Sequence, residues 1–384
     1  MDIRREMEKQ RNYLIKHRRY FHRYPELSHE EYKTQSYIEE ELNGLGIQYK
    51  KVADTGIIAT LGEGKSEDAI ALRADMDALP ITEVNEVSYA SCHKGIMHAC
   101  GHDCHLAMLL GAAKVLKEHE ESLKGEVKLV FQPAEEKMAG AKELIKDEAY
   151  HNVSCIHGIH VWSELNKGEI AIKEGPLMAA VDAFKITIKG LSAHGAMPQK
   201  GVDAILIASH IVTNLQSIIS RELSPLDPAV ITVGKINGGT GINIIAEEVI
   251  IEGTIRYFNP NLKHKLKELM DRKIKHIAEG YGGIGQLNYI EGLPPVINDK
   301  DVIQVLKTSV EKIGCKSIAI EPVTISEDFS ILMDSRRGAM TFIGIADENK
   351  KPLLHTNNFD VDEDILIDGA ALHVQFIMDY IFDK

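Results

Sequence analysis

This sequence predicts an α/β chain in two domains. A mixed-sheet domain has helices on both faces, and a smaller ferredoxin-like α+β domain is inserted into it. Three observations carry that prediction. The 384 residues exceed what one ordinary core organises. In the first half, short apolar runs alternate with helical periodicity, as in an α/β sheet covered on both sides. Near Ala180 the pattern changes to β-α-β-β-α-β and then changes back.

In order, residues 1–45 read as largely helical, interrupted at Pro25, with a second helix from about Ser28 to Leu42 ended by Gly44 and Gly46. Ile57–Leu61, Ile70–Ala74, Val127–Phe131 and Ser154–Trp162 are apolar enough for buried strands, and Leu106–Leu116 is an Ala- and Leu-rich helix. The inserted pattern runs through strand Phe184–Ile188, helix Asp203–Ile219, strands Val230–Val233 and Val249–Tyr257, helix Leu262–Ile277 and strand Gln286–Ile290. Helix Asp301–Ile313, strand Thr341–Ile345 and helix Ile365–Ile381 follow. The expected division is therefore 1–178 plus 293–384 for the first domain and 179–292 for the insertion.

Composition narrows the function classes. Net charge is −13, from 57 acidic and 44 basic residues, which argues against a nucleic-acid surface. No apolar run approaches the ~20 residues of a membrane span, and the charged start Met1–Glu6 lacks a signal-peptide core, so a cytoplasmic location is expected. Five cysteines do not suggest a disulfide framework, whereas 17 histidines, several beside cysteines, point toward metal.

The densest cluster is His98-Ala99-Cys100-Gly101-His102-Asp103-Cys104-His105. Read as an extended segment, it would turn His98, Cys100 and His102 to one side. Asp75 and Asp77 follow the strand Ile70–Ala74, and Glu135 and Glu136 follow Val127–Phe131. Carboxylates at strand ends are where such sheets build sites, and an adjacent pair can divide metal binding from proton transfer. His157 and His160 at the end of the next strand and His355 near the C-terminus complete five segments that offer ligand chemistry. A lone histidine is usually structural. The company these residues keep suggests one two-metal site.

Several strings in order resemble the M20 metallopeptidase family, in its amidohydrolase branch of hippurate hydrolases, plant auxin-conjugate amidohydrolases and N-acetyl-diaminopimelate deacetylases. They are Leu72–Pro80, Met97–Asp103, Phe131–Glu136, Ser192–Gly195, Ile231–Gly234, Gly253–Arg256 and Glu327–Phe329. The resemblance implies a di-metal catalytic domain with an inserted lid and dimerisation domain. It places metal ligands on Cys100 (bridging), His102, Glu136, His160 and His355, and the general base on Glu135. It puts the orienting carboxylate at Asp75 or Asp77, oxyanion stabilisation on His194, and substrate binding on His194, Asn243 and Arg256. The chain departs from the family pattern at Lys137–Gly140 and Thr324–Ser326.

The expected reaction is hydrolysis of an N-acyl amino acid, N-acetyl, N-benzoyl or similar, with two divalent ions (zinc, manganese, cobalt or nickel) in a homodimer or dimer-based oligomer that binds neither nucleic acid nor membrane. A dipeptidase or carboxypeptidase acting on short peptides, a non-catalytic binder of the same fold, and a cysteine hydrolase built on Cys100 are the rival readings.

Overall fold

The computed structural model describes residues 2–347 and 351–382, and the chain divides into two compact units. The first comprises 1–177, 296–321 and 328–384; the second comprises 178–295 and 322–327.

The first unit opens with helices α1 (Ile3–Lys9), α2 (Arg11–Arg23) and α3 (Tyr32–Leu45), the last ended by Gly46 in the left-handed conformation. Strands β1 (Gln48–Val52), β2 (Gly56–Leu61) and β3 (Ala69–Asp75) lead to α4 (His102–Glu118). After these come β4 (Glu126–Gln132), α5 (Gly140–Leu144), β5 (Val153–Asn166), β6 (Glu169–Ala171) and β7 (Gly175–Met178).

The second unit contains β8 (Ala180–Lys189), β9 (Ala193–His194), α6 (Ala204–Ser217), β10 (Ala229–Gly238), β11 (Ile244–Ile245), β12 (Glu248–Tyr257), α7 (Leu262–Gly280) and β13 (Ile284–Leu293). The chain returns to the first unit with β14 (Val296–Asn298), α8 (Lys300–Lys312), β15 (Lys316–Ile318), α9 (Phe329–Leu332), β16 (Arg337–Ala346) and α10 (Ile365–Phe382).

The large sheet of the first unit has the order β1-β2-β4-β3-β5-β16-β6-β15. Its centre, β4-β3-β5-β16, is parallel throughout, so those strands point their carboxyl ends to one edge. Every residue of β3 and β4 is buried, which is why their centres read as apolar runs, Ile70–Ala74 broken only by Arg73 and Val127–Phe131 only by Lys128. α4 packs on β3, β5 and α10, and its residues are buried nearly all round.

The second unit has a four-stranded antiparallel sheet ordered β10-β12-β8-β13, the strand order of a ferredoxin-like module, with α6 and α7 packed on it and on each other. β8 alternates buried and half-buried residues up to its exposed last residue, Lys189, as a sheet with one covered face requires. Asp182, buried on β8, accepts from the Tyr257 and Tyr289 hydroxyls at 2.8 and 2.7 Å and from the Gly292 N–H at 2.8 Å. Three donors replace the water its carboxylate lost.

The core of the first unit also holds histidines. His157 on β5 bonds Thr341 Oγ1 through Nε2 at 3.1 Å, and its ring lies 5.1 Å from that of His373 on α10. Burial pushes His373 down to about 3, aided by His105, and pushes His157 well down, aided by His373. Both are therefore neutral in the folded chain and titrate near 6.5 when unfolded. The unfolded chain binds more protons below that value, so their stabilising contribution is complete above about pH 6.5 and is lost as pH falls toward about 3. Urea titrations at pH 7 and pH 5 are expected to show a drop in stability that His373→Leu makes shallower. Parallel pH dependence in the two proteins would refute this account.

Candidate metal centre

Two features of chain path bring the chemistry to the carboxyl edge of the parallel strands. Past β4, Ala134 adopts a φ of 50°, unusual for a residue with a side chain, and its N–H is held by the buried Glu31 Oε1 at 2.8 Å. Gly140 closes the turn so tightly that a Cβ there would stand 1.7 Å from the Pro133 carbonyl oxygen. Past β3, Asp77 is fully buried and fixes the same turn from the other side. Its Oδ1 accepts the Glu135 N–H at 3.1 Å, and its Oδ2 accepts the Glu136 N–H at 3.0 Å and the Ser28 hydroxyl at 2.6 Å.

Gly101, at φ 84°, opens α4, so His102 to His105 lie in the first helical turn. This corrects the extended reading of the cluster. Cys100 and His102 approach each other, but His98 does not join them. It is buried with neither ring nitrogen hydrogen-bonded, and burial pushes it down to about 4. A period of two applies to a strand, and here a left-handed glycine turns the chain into a helix between the two histidines.

The ligand atoms of Cys100, His102 and His160 lie within 4.8 Å of one another, and so do those of Cys100, Glu136 and His355. Cys100 Sγ is 3.5 Å from His160 Nε2 and 3.3 Å from His355 Nε2. Each buried imidazole is oriented from its far side. His160 Nδ1 donates to the Val161 carbonyl at 2.7 Å, and His102 Nδ1 donates to the Asp77 carbonyl at 2.8 Å, which leaves Nε2 of each ring as the nitrogen that can ligate. Burial pushes His160 down to about 3, which keeps it neutral. His355 is exposed, at φ 60°, and its N–H donates to Ala99 O at 2.7 Å.

His102 Nε2, 3.6 Å from Asp75 Oδ2, and Glu136 Oε1, 3.5 Å from His355 Nε2, are among the buried atoms with no hydrogen-bond partner. A native interior rarely leaves such atoms unmatched, and both belong to the ligand groups above. Burial also raises the Cys100 thiol, so its thiolate form needs a cation beside it. Sulfur, imidazole and carboxylate donors in two sets that share one cysteine fit a pair of divalent ions.

Asp75 is engaged elsewhere. It accepts from Arg73 Nη1 at 2.7 Å and from His105 Nδ1 at 2.6 Å, and it stands 3.6 Å from His102 Nε2. Burial opposes its charge, but Arg73, His102 and His105 outweigh it and hold the carboxyl well below the usual range. His105 Nε2 accepts the Val161 N–H at 3.0 Å, so neither of its nitrogens is available to an ion. Arg73 also bonds Gln132 Oε1 at 2.9 Å and reaches Asp328 Oδ1 at 3.4 Å, while Gln132 Nε2 donates to Asp328 at 2.7 Å. Sequence reasoning gave no role to Arg73, Ser28 or Glu31. The available signal was Arg73 itself, a permanent charge inside an apolar strand, which cannot be buried without partners.

In the second unit, β9 pairs with β11 through His194 and Ile244, and the Gly195 N–H donates to the Asn243 carbonyl at 2.7 Å, so His194 and Asn243 are neighbours. His194 Nδ1 accepts the Ala196 N–H at 3.0 Å, which puts its proton on Nε2 as an outward donor. Arg256 lies apart from them on β12, half-buried.

The profile of peptidase family M20/M25/M40 matches residues 71–379, and the chain belongs to that family. It is an enzyme, a metallo-amidohydrolase. It is 41% identical to the N-acetyl-L-cysteine deacetylase of Bacillus subtilis (strain 168), over 95% of this chain and 86% of the relative. It is 40% identical to the IAA-amino acid hydrolase ILR1-like 4 of Arabidopsis thaliana, over 97% and 86%. Among solved structures, a dinuclear metal binding peptidase from the M20 family of Bacillus subtilis superposes with a TM-score of 0.88 at 33% identity, covering 98% of this chain and 99% of that one. Among the described residues, no helix is long and apolar enough to cross a membrane.

Proposed function

We propose that this enzyme hydrolyses N-acyl amino acids to a carboxylate and a free amino acid, at a centre of two divalent ions held by Cys100, His102, Glu136, His160 and His355. The observation that carries the reading is that Cys100 belongs to both ligand groups, one completed by His102 and His160 and the other by Glu136 and His355. The activities named for the two curated relatives both separate an acyl group from an amino acid.

The ions, when bound, supply positive charge that polarises the scissile carbonyl and acidifies the attacking water. Glu135 takes the water proton as oxygen bonds to the carbonyl carbon, then delivers it to the amide nitrogen as the C–N bond breaks. Its backbone is fixed by Asp77, and its carboxylate lies within 4.8 Å of the ligand atoms of His102 and Glu136. Asp77 is the orienting carboxylate, because its Oδ1 stands 3.4 Å from His102 Nδ1 while its two oxygens hold the Glu135 and Glu136 N–H groups. His194, with its proton on Nε2, is the donor proposed for the developing oxyanion. Arg256 suits the substrate carboxylate, with Asn243 assisting. Zinc, manganese, cobalt and nickel all suit the donors. A cytoplasmic homodimer is the accompanying reading, supported for the dimer by Leu191, Met197, Ile236 and Ile242 exposed on the second unit.

The test is to count bound metal, measure the mass in solution, and assay amino-acid release from N-acetyl and N-benzoyl amino acids and from dipeptides, with and without chelator. Two ions per chain and chelator-sensitive release from the N-acyl compounds are expected. Preference for dipeptides would move the reading to a peptidase, and release that survives chelation but not thiol alkylation would move it to a cysteine hydrolase.

A further inference from the structure

Arg18 on α2 is fully buried, and a buried guanidinium persists only where other groups replace its water. Its Nε donates to Asp103 Oδ2 at 2.9 Å, its Nη2 donates to Asp360 Oδ1 at 2.8 Å, and its Nη1 reaches Glu363 Oε1 at 3.5 Å. The two short bonds end on two different ligand-bearing stretches. Asp103 follows His102 in the first turn of α4, and Asp360 lies five residues beyond His355, on the stretch that leads into α10.

His22, one turn further along α2, reinforces the first attachment. Its Nδ1 donates to Asp103 Oδ2 at 2.7 Å and its Nε2 donates to Glu83 Oε1 at 3.1 Å. Both partners are carboxylates, so the ring donates from both nitrogens. Tyr89 caps Asp360 with its hydroxyl at 3.1 Å, and its ring lies 4.8 Å from the Arg18 guanidinium carbon.

The two stretches differ in what else holds them. α4 is buried along nearly its whole length and packs on α2 and α10. Residues 355–360 form no helix or strand. Main-chain bonds at His355 and Asn357 and the Asn85 Nδ2 bond to Phe359 O at 3.0 Å tie them down, beside the buried Phe359 ring.

We propose that Arg18 is a positioning residue that bridges these stretches, and that its guanidinium sets how far the His355 stretch stands from the His102 helix. The inference rests on the ligand assignment of the preceding section. Its consequence is asymmetric. When the bridge is cut, α4 keeps its packing and the group Cys100, His102 and His160 keeps its shape. The loop gives way instead, and the group Cys100, Glu136 and His355 loosens.

The experiment titrates metal-free wild-type, Arg18→Lys and Arg18→Met proteins with manganese by calorimetry, with thermal unfolding alongside. Two ions are expected to bind wild type. In both variants the first ion is expected to bind as in wild type and the second about 10–100-fold more weakly, as for loss of a group that supports a ligand. Lysine keeps the charge but cannot hold two carboxylates in a fixed fork, so a purely electrostatic role would leave Arg18→Lys normal. Arg19→Gln, which loses an exposed pairing with Glu363 and a contact over the Tyr89 ring but no bond to Asp103 or Asp360, is expected to match wild type. If the Arg18 variants do not fold, Asp360→Asn, which weakens the loop side alone, is expected to show the same selective loss. Wild-type affinity for both ions in a folded Arg18→Lys, or equal weakening of both, overturns the inference. Fewer than two ions in wild type overturns the ligand assignment and the inference with it.

Discussion

Glu135→Gln is expected to lower turnover by about 10²–10⁴-fold, the usual contribution of a positioned general base, while the protein still binds two ions and folds as before. Glutamine is nearly the same shape, and the main-chain N–H of residue 135 still donates to Asp77. What is lost is only the capacity to accept a proton and return it. A thousandfold loss corresponds to about 4 kcal/mol of transition-state stabilisation, and it should fall on kcat with KM little changed. Metal content and a substrate titration separate this outcome from a damaged centre. Turnover within a few-fold of wild type would remove Glu135 from the role and leave the proton transfer to another group.

The contrast between what the sequence disclosed and what it concealed has a physical basis. The parallel strands were legible because both faces of each are buried, so they appear as mostly apolar runs, each with one charged residue inside it in β3 and β4. The inserted module was legible through its β-α-β-β-α-β order, which the sheet β10-β12-β8-β13 realises. The segments of Cys100, His102, Glu135, Glu136, His160 and His355 stood out by their company of His, Cys and carboxylates, the family resemblance singled out these six within them, and the structure gathers their functional atoms in overlapping groups. His160 lies within β5 rather than at its end, because that strand runs on to Asn166.

What stayed hidden depends on contacts between residues far apart in the chain. Arg18 and His22 sit on a helix rich in charged side chains, and nothing local distinguishes a buried arginine there from a solvated one. Ser28 and Glu31 look like ordinary polar residues at the start of the helix expected from Ser28, yet they lie ahead of α3 and fix Asp77 and Ala134. His98 was misjudged because the positive φ of Gly101 decides where the helix begins, and the sequence shows only that glycine permits it.

The pair Asp75 and Asp77 shows the same limit, and its resolution is the second large expected effect. Asp77→Asn is expected to weaken metal binding by about 10–100-fold. Both oxygens of Asp77 act as acceptors, Oδ1 toward the Glu135 N–H and Oδ2 toward the Glu136 N–H and the Ser28 hydroxyl. An asparagine has one amide oxygen, so whichever way it turns, its NH₂ faces one of those N–H groups as a second donor. The turn that carries the base and a metal ligand must then shift. Asp75→Asn is expected to act through folding, because Asp75 pairs with a buried guanidinium and with His105. Breaking such a pair removes one of the carboxylates that Arg73 meets, Asp328 remaining at 3.4 Å, and costs about 3 kcal/mol, whereas the groups that touch Glu135 and Glu136 stay in place. Chelator competition and urea unfolding on the two variants read these effects separately. If Asp75→Asn loses metal while Asp77→Asn keeps it, the orienting role passes to Asp75. The direct bonds from Asp77 to the turn would then be structural, and the 3.6 Å approach of Asp75 to His102 Nε2 would be the contact that matters.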